Sequence, residues 1–251
     1  MKTDESQRNV ANVASMPARN RFDFFWQLNA PLFEPPNTCR GGWSGVSQIQ
    51  LQLNNEKIPV FIKRQRKHRI RYWRHLLKGI PTFEREYRNI KHLRALDIPT
   101  LEPVFFAKRK DKAILITKAL SDYESLDELD YSQLSFHQRS ALICSIARVI
   151  AKLHAHHLQH NCLYPKHIFV KQLNNKSWDV RLIDLEKLRH KLFKRQALSR
   201  DLSCLSRHAP DNWSQTDHLR FFKAYLGQNR LTPAARILWQ QIALKVARKR
   251  R

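Results

Sequence analysis

The sequence predicts an α+β protein in two lobes, a small antiparallel-sheet N-lobe followed by a helical C-lobe. Apolar runs of period two fall before residue 120, and the longest apolar stripe at helical spacing falls after it. Three of the chain's five glycines sit together immediately ahead of the first of these runs.

Residues 1 to about 22 are polar and aperiodic and read as a mobile tail, before a sheet lobe over 23–120 and a helical lobe over 121–251. In Val46-Ser-Gln-Ile-Gln-Leu-Gln-Leu53, Ile49, Leu51 and Leu53 share one face and glutamines the other, the pattern of a half-buried strand. Asn54 to Lys57 reads as its turn, and Ile58 to Lys63 as the returning strand. Phe83, Tyr87, Ile90 and Leu93 predict a helix over 82–96, stopped at Pro99. Two strands follow, over 104–107 and 113–117. Leu142, Ile146, Val149 and Leu153 then mark a helix over 137–158. Residues 168–170 and 180–183 form a hairpin about Asn174-Asn175-Lys176, and the remainder reads as helical.

A chain of 251 residues with 42% apolar content buries a substantial core. Its formal charge of +25, from 46 Lys plus Arg against 21 Asp plus Glu, attracts polyanions. Cys39, Cys144, Cys162 and Cys204 form no CxxC pair, which argues against a zinc knuckle or disulfide framework and for a reducing cytosol. The chain has neither a secretory leader nor an apolar run of the roughly 18 residues a span needs, so it is expected to be soluble or peripheral.

Gly41-Gly42-Trp43-Ser44-Gly45 suits a backbone that approaches phosphates closely, although an ordinary hairpin turn has the same composition. Lys63, on a half-buried strand, requires an anionic partner, which a carboxylate or a phosphate would supply. Glu86 lies beside the apolar stripe of its helix, better placed than Glu84. Asp184 ends the run Val180-Arg-Leu-Ile183, where it would either hold a hard cation or cap a helix. His154, His156, His157 and His160 straddle a helix end without cysteine partners, a poor zinc pattern.

The order of glycine loop, strand lysine, helix glutamate, long helix, loop, hairpin and aspartate resembles the protein kinase-like superfamily over residues 37–227. Arg40 to Val46, His160-Asn-Cys-Leu-Tyr-Pro-Lys-His-Ile-Phe-Val170, Leu182-Ile-Asp-Leu-Glu186 and Leu219 to Gly227 are similar to the lipopolysaccharide core kinase family, in its InaA branch. The resemblance implies ATP-dependent phosphorylation of a heptose or Kdo sugar of the lipopolysaccharide inner core, by a monomer peripheral to the cytoplasmic face of a Gram-negative inner membrane. It sets Gly41, Gly42 and Gly45 over the ATP phosphates, and Lys63 on the α and β phosphates, paired with Glu86. It sets the backbone of Lys118 to Leu120 at adenine, Mg2+ on Asp184, and Asp201 as an anchor of the catalytic loop.

The loop departs from ordinary kinases, which read His-Arg-Asp with asparagine five residues on. Here Cys162 takes the aspartate position and His167 that of the asparagine; the latter exchange also resembles the lipopolysaccharide sugar kinases and leaves His167 as a metal or phosphate contact. A thiol is mostly protonated at neutral pH and a poor base, so the alternative is a pseudokinase that binds nucleotide or glycolipid without turnover. Lys166 is placed to neutralise the transferring phosphoryl group. Lys63 to Arg74, with Tyr72 and Trp73 interleaved, and Lys245 to Arg251 suit an anionic membrane surface or a lipid A-linked acceptor. No nucleic-acid-binding motif is present, and none is expected as a partner.

Overall fold

The computed structural model describes residues 17–38, 41–53, 56–70, 79–174, 176–210 and 212–250. Arg40, Asn54, Asn55, residues 71–74 of the basic stretch, Asn175, Arg251 and the first sixteen residues of the expected tail lie outside the described residues. Contacts divide the chain into two units, Met1–Lys91 with Leu101–Ser121, and His92–Thr100 with Asp122–Arg251.

In the first unit, helix α1 (Ala18–Gln27) opens inside the segment read as tail, because Phe22 and Phe25 supply an apolar stripe that begins only at its end. Strands β1 (Trp43–Leu53) and β2 (Glu56–Arg66) pair antiparallel, with Glu56 and Lys57 already in the strand rather than in the turn. A short pair, β3 (Arg69–Ile70) and β4 (Ile80–Pro81), precedes α2 (Thr82–Ala95). Strands β5 (Pro103–Arg109) and β6 (Lys112–Lys118) complete an antiparallel sheet of order β1-β2-β6-β5.

Strand parity gives this sheet two different faces. Val60 and Ile62 of β2 pack with Leu51, Ile114, Ile116 and the α1 residues Phe22 and Phe25. Arg64, of the same parity, donates to the carbonyls of Leu28 at 2.7 Å and Trp26 at 3.4 Å, satisfying the open end of α1. Lys63 and Gln65 project the other way, and Gln65 Oε1 accepts from the Phe83 amide at 2.8 Å and Thr82 Oγ1 at 2.5 Å. The sheet is thereby fixed to the first turn of α2.

In the second unit, a two-residue strand β7 (Glu124–Ser125) pairs with the hairpin β9 (Ile168–Asn174) and β10 (Ser177–Leu182). Helix α3 (Phe136–Ala155) starts at a capping box between Ser135 and Gln138. Its buried stripe runs Leu142, Ile146, Ile150, Leu153, while Val149 stays half-buried. It also ends sooner than its periodicity suggests, since Leu158 and Gln159 form β8, paired with β11 (Arg189–His190). Helices α4 (Lys194–His208), α5 (Gln215–Leu226) and α6 (Pro233–Arg250) follow.

Asp217 ties α5 to α3, accepting from Arg139 Nη2 at 2.6 Å, Arg220 Nη1 at 2.7 Å and Ser214 Oγ at 2.8 Å. Burial alone would raise its pKa, but the hydrogen bonds from Ser214 and the Arg139 guanidinium outweigh that and hold it below the usual carboxylate range. A carboxylate with a lowered folded pKa contributes stability above its unfolded pKa and loses it as pH falls through the folded one. Asp217→Asn should therefore cost about 2–3 kcal/mol near neutrality and much less in acid, a convergence that urea titrations of both proteins across that range will show.

Candidate active site

The alternation of β2 delivers Lys63 to α2. Its Nζ donates to Glu86 Oε1 at 2.6 Å, with the glutamate side chain 2% exposed and the lysine 20%. A carboxylate so enclosed needs a cation. The lysine head also lies over the Phe83 ring, 5.9 Å from its centroid, so its charge is fixed between α2 and the sheet. Glu84 is also buried but serves Lys108 at 2.9 Å and Arg88. Glu86, not Glu84, is the glutamate that pairs with Lys63.

The glycine segment connects two short antiparallel stretches: the Asn37 and Ser44 amides each donate to the other's carbonyl at 2.9 Å, and the Phe33 amide donates to Val46 at 2.7 Å. Gly41 has φ +70° with open space around it, and a Cβ on Gly42 would come within 2.1 Å of the His68 ring. At Gly45, inside β1, the missing side chain makes room for Leu32 and Trp43. Of the three glycines only Gly41 has open space beside it. At the far end of β6 the Lys118 amide donates to Glu102 and the Ala119 amide to Pro59, both at 2.9 Å, while Lys118 Nζ pairs with Glu102 at 2.7 Å. Donation to an adenine from the expected hinge narrows to the Leu120 amide.

In the second unit the loop after β8 is organised by Asp201, which is fully buried in α4. Its carboxylate accepts from the His160 amide at 2.6 Å, the Asn161 amide at 2.9 Å and His154 Nε2 at 3.2 Å. Those bonds support Asn161 at φ +67°, in the left-handed region that costs a non-glycine residue about 1–2 kcal/mol. His160 Nε2–H donates to the Ile183 carbonyl at 3.0 Å, and burial lowers its pKa, keeping the ring neutral. The histidine-rich turn is therefore used residue by residue: His154 also meets Tyr225 Oη at 2.9 Å and His157 turns to the Leu192 carbonyl at 3.1 Å.

Asp184, also left-handed at φ 57°, stands at the N-cap of the 3-10 turn Leu185–Lys187 with no side-chain capping bond, so capping does not explain it. Its Oδ2 lies 3.4 Å from His167 Nε2. His167 Nδ1–H donates to the Cys162 carbonyl at 2.7 Å, so in the neutral ring the lone pair of Nε2 faces the carboxylate. Two acceptors this close converge on one point, which suits a cation. No cluster of three or more His, Cys, Asp or Glu side chains able to hold a metal occurs among the described residues. The Asp184 carboxylate fits a magnesium ion that takes its remaining oxygens from phosphates and water, and His167 Nε2 is placed to accept from such a water.

Cys162 is 8% exposed, and burial pushes its thiol pKa up, with Lys187 only partly opposing the rise. Lys187, which the sequence reading passed over, lies near enough for its charge to act against the rise in the thiol pKa. The local signal was its three-residue distance from Asp184 across a tight turn. The turn is pinned by Asn161 Nδ2, which donates to the Lys187 carbonyl at 2.8 Å. Lys166 is exposed on the turn Pro165–His167 and has no salt-bridge partner among the described residues.

Residues 23–225 match the model of the Lipopolysaccharide kinase (Kdo/WaaP) family. Protein InaA of Escherichia coli (strain K12) is 29% identical over 198 residues, spanning 75% of this chain and 88% of that protein. A solved structure of WaaP in complex with acyl carrier protein matches with a TM-score of 0.66 at 18% identity, covering 91% of this chain and 90% of that one. An aminoglycoside-3'-phosphotransferase of type VIII matches with a TM-score of 0.50 at 12% identity, covering 86% and 92%. The fold is kinase-like, an α+β architecture with an antiparallel sheet region and a helical region.

Removing the Asp201 carboxylate strands two loop amides and His154. Asp201→Ala should cost about 3 kcal/mol and raise amide hydrogen exchange at His160 and Asn161 above that of the rest of the second unit. Exchange that stays even across the unit would show that the loop does not depend on this side chain.

Proposed function

Because the chain belongs to the Lipopolysaccharide kinase (Kdo/WaaP) family, we propose that it transfers the γ-phosphoryl group of ATP to a heptose or Kdo hydroxyl of the lipopolysaccharide inner core. In that reaction the acceptor oxygen forms the new P–O bond, the bond from the γ-phosphorus to the β-γ bridging oxygen breaks, ADP leaves, and the hydroxyl proton is released. The observation that carries the reading is the Lys63–Glu86 pair, a lysine set at 2.6 Å on a buried helix carboxylate. That pair holds a cation where the α and β phosphates of a nucleotide would be gripped.

Gly41 and Gly42 offer backbone amides to the phosphates, and Leu120 an amide to the adenine. Asp184, with His167 through a water, would hold Mg2+, which when bound neutralises charge on the transferring phosphoryl group. Lys166 offers an exposed ammonium to the same group. Cys162 stands at the position of the proton acceptor, and a buried thiol with a raised pKa is a weak one. The proposed centre therefore works by positioning and charge neutralisation, forgoing a general-base factor of about 10²- to 10⁴-fold. The acceptor is lipid-anchored, so the protein would work peripherally on an anionic leaflet. Among the described residues no helix is long and apolar enough to cross a membrane, and the net charge of +25 favours such a surface.

Lys63→Met should weaken Mg-ATP binding at least about tenfold, the loss of one charged contact, as titration calorimetry would register; unaltered affinity would sink the nucleotide reading. With purified core glycolipid as acceptor, Asp184→Ala should abolish transfer. Cys162→Asp should raise kcat by about 10²-fold or more with little change in nucleotide affinity. Absence of transfer in both wild type and Cys162→Asp would leave a binding protein without turnover.

A further inference from the structure

The basic stretch from Lys63 is partly committed inside the fold, Lys63 to Glu86 and Arg64 to the end of α1. A different surface, in the second unit, has the chemistry of a bilayer contact. The segment between β11 and α4 ends on Leu192 and Phe193, which are 80% and 64% exposed. Two adjacent large apolar side chains in water call for a covering partner. The backbone that presents them is held: the Lys191 amide donates to the His157 carbonyl at 2.8 Å and His157 Nδ1–H to the Leu192 carbonyl at 3.1 Å. The His157 and His190 rings stack beside them with centroids 5.8 Å apart.

Exposed cations flank the pair at Arg189 and Arg195. Arg195 Nη2 donates to Gln241 Oε1 at 2.8 Å, which joins the segment to the outer side of α6. There Ile237 and Leu244, one turn to either side of Gln241, are 55% and 60% exposed, and Arg248 continues the same stripe. Bare aliphatic side chains and cations thus share one contiguous face.

We propose that this face, Leu192 and Phe193 with the outer stripe of α6, seats the protein on an anionic phospholipid surface. The apolar side chains enter the interfacial layer and the arginines meet headgroup phosphates. The inference rests on the membrane-surface reading above and adds the face that makes the contact. A second copy of the chain fits poorly, since pairing two such faces would bring like charges together on proteins of net charge +25. Nucleic acid fits less well, because Leu192, Ile237 and Leu244 are aliphatic and leave Phe193 as the one bare apolar ring of the face on which a base could stack.

The test is co-sedimentation of the full chain with phosphatidylcholine vesicles and with vesicles that also contain phosphatidylglycerol. Wild type should bind the mixed vesicles only. The double variant Leu192→Ser with Phe193→Ser should bind them at least about tenfold more weakly at unchanged Tm, since serine at position 193 is a favourable N-cap for α4. Arg189→Glu with Arg248→Glu should weaken binding further than about tenfold, each cation at an anionic leaflet being worth about fivefold. Wild type that ignores anionic vesicles would overturn the membrane reading itself. Binding retained by the serine variant would overturn this face while leaving that reading in place, and an equal loss of affinity for single-stranded RNA would reassign the face to nucleic acid.

Discussion

Asp201 is fully buried, and among the described residues no lysine or arginine pairs with it. A carboxylate in that position must be neutralised by donors brought to it, and the donors here are the amides of His160 and Asn161 and the ring of His154. From those anchors, bonds run outward to the segment around Asp184 and to the turn at Lys187. His160 reaches the carbonyl of Ile183, beside Asp184, and Asn161 reaches that of Lys187. His167 closes back on Cys162, while the Ile183 amide donates to the His167 carbonyl at 3.0 Å. One enclosed negative charge therefore fixes a loop and a turn that are distant in sequence, and it holds the left-handed backbone of Asn161 through that residue's amide.

Where local periodicity coincides with burial, the fold was legible. The period of two in β1 predicted that Ile49, Leu51 and Leu53 share the core-facing side, and the helical stripe of α2 put Glu86 beside that stripe, while its pairing with Lys63 was implied by the family resemblance. Misses came where tertiary contacts decide. Helix α1 is held by aromatic burial of Phe22 and Phe25 and by Arg64, a partner from a strand more than thirty residues later. The end of α3 is set by the β8–β11 ladder rather than by an apolar stripe that continues past it. In the site, residue types at motif positions could be read directly, but the nearness of the Lys187 charge to Cys162 depends on how a tight turn folds back, which spacing alone does not specify.

The excess of basic residues has two destinations. A few buried acids consume cations as structural partners: Glu84 takes Arg88 and Lys108, Glu86 takes Lys63, and Asp217 takes Arg139 and Arg220. Such pairs hold helices to strands or to each other, and they offset the desolvation of the acid more than they add net stability. Most of the surplus of 46 basic over 21 acidic residues must remain at the surface, where its value lies in attraction to anions. Reading charge by stretches of sequence merges these two populations, as Lys63 and Arg64 illustrate, whereas Arg189 and Arg248 are exposed beside bare apolar side chains.

The thiol at position 162 acquires a physical rationale from its neighbours. Asp184 and Glu186 already place two carboxylates near it, with Lys187 as the nearby cation acting on the thiol. An aspartate at 162 would add a third negative charge beside Asp184 and Glu186, and those like charges would raise its pKa. A neutral thiol gives up assistance with the acceptor proton but leaves Lys187 to balance the carboxylates. For a loose phosphoryl transfer, in which charge neutralisation lowers the barrier more than proton removal does, that exchange sacrifices the smaller contribution.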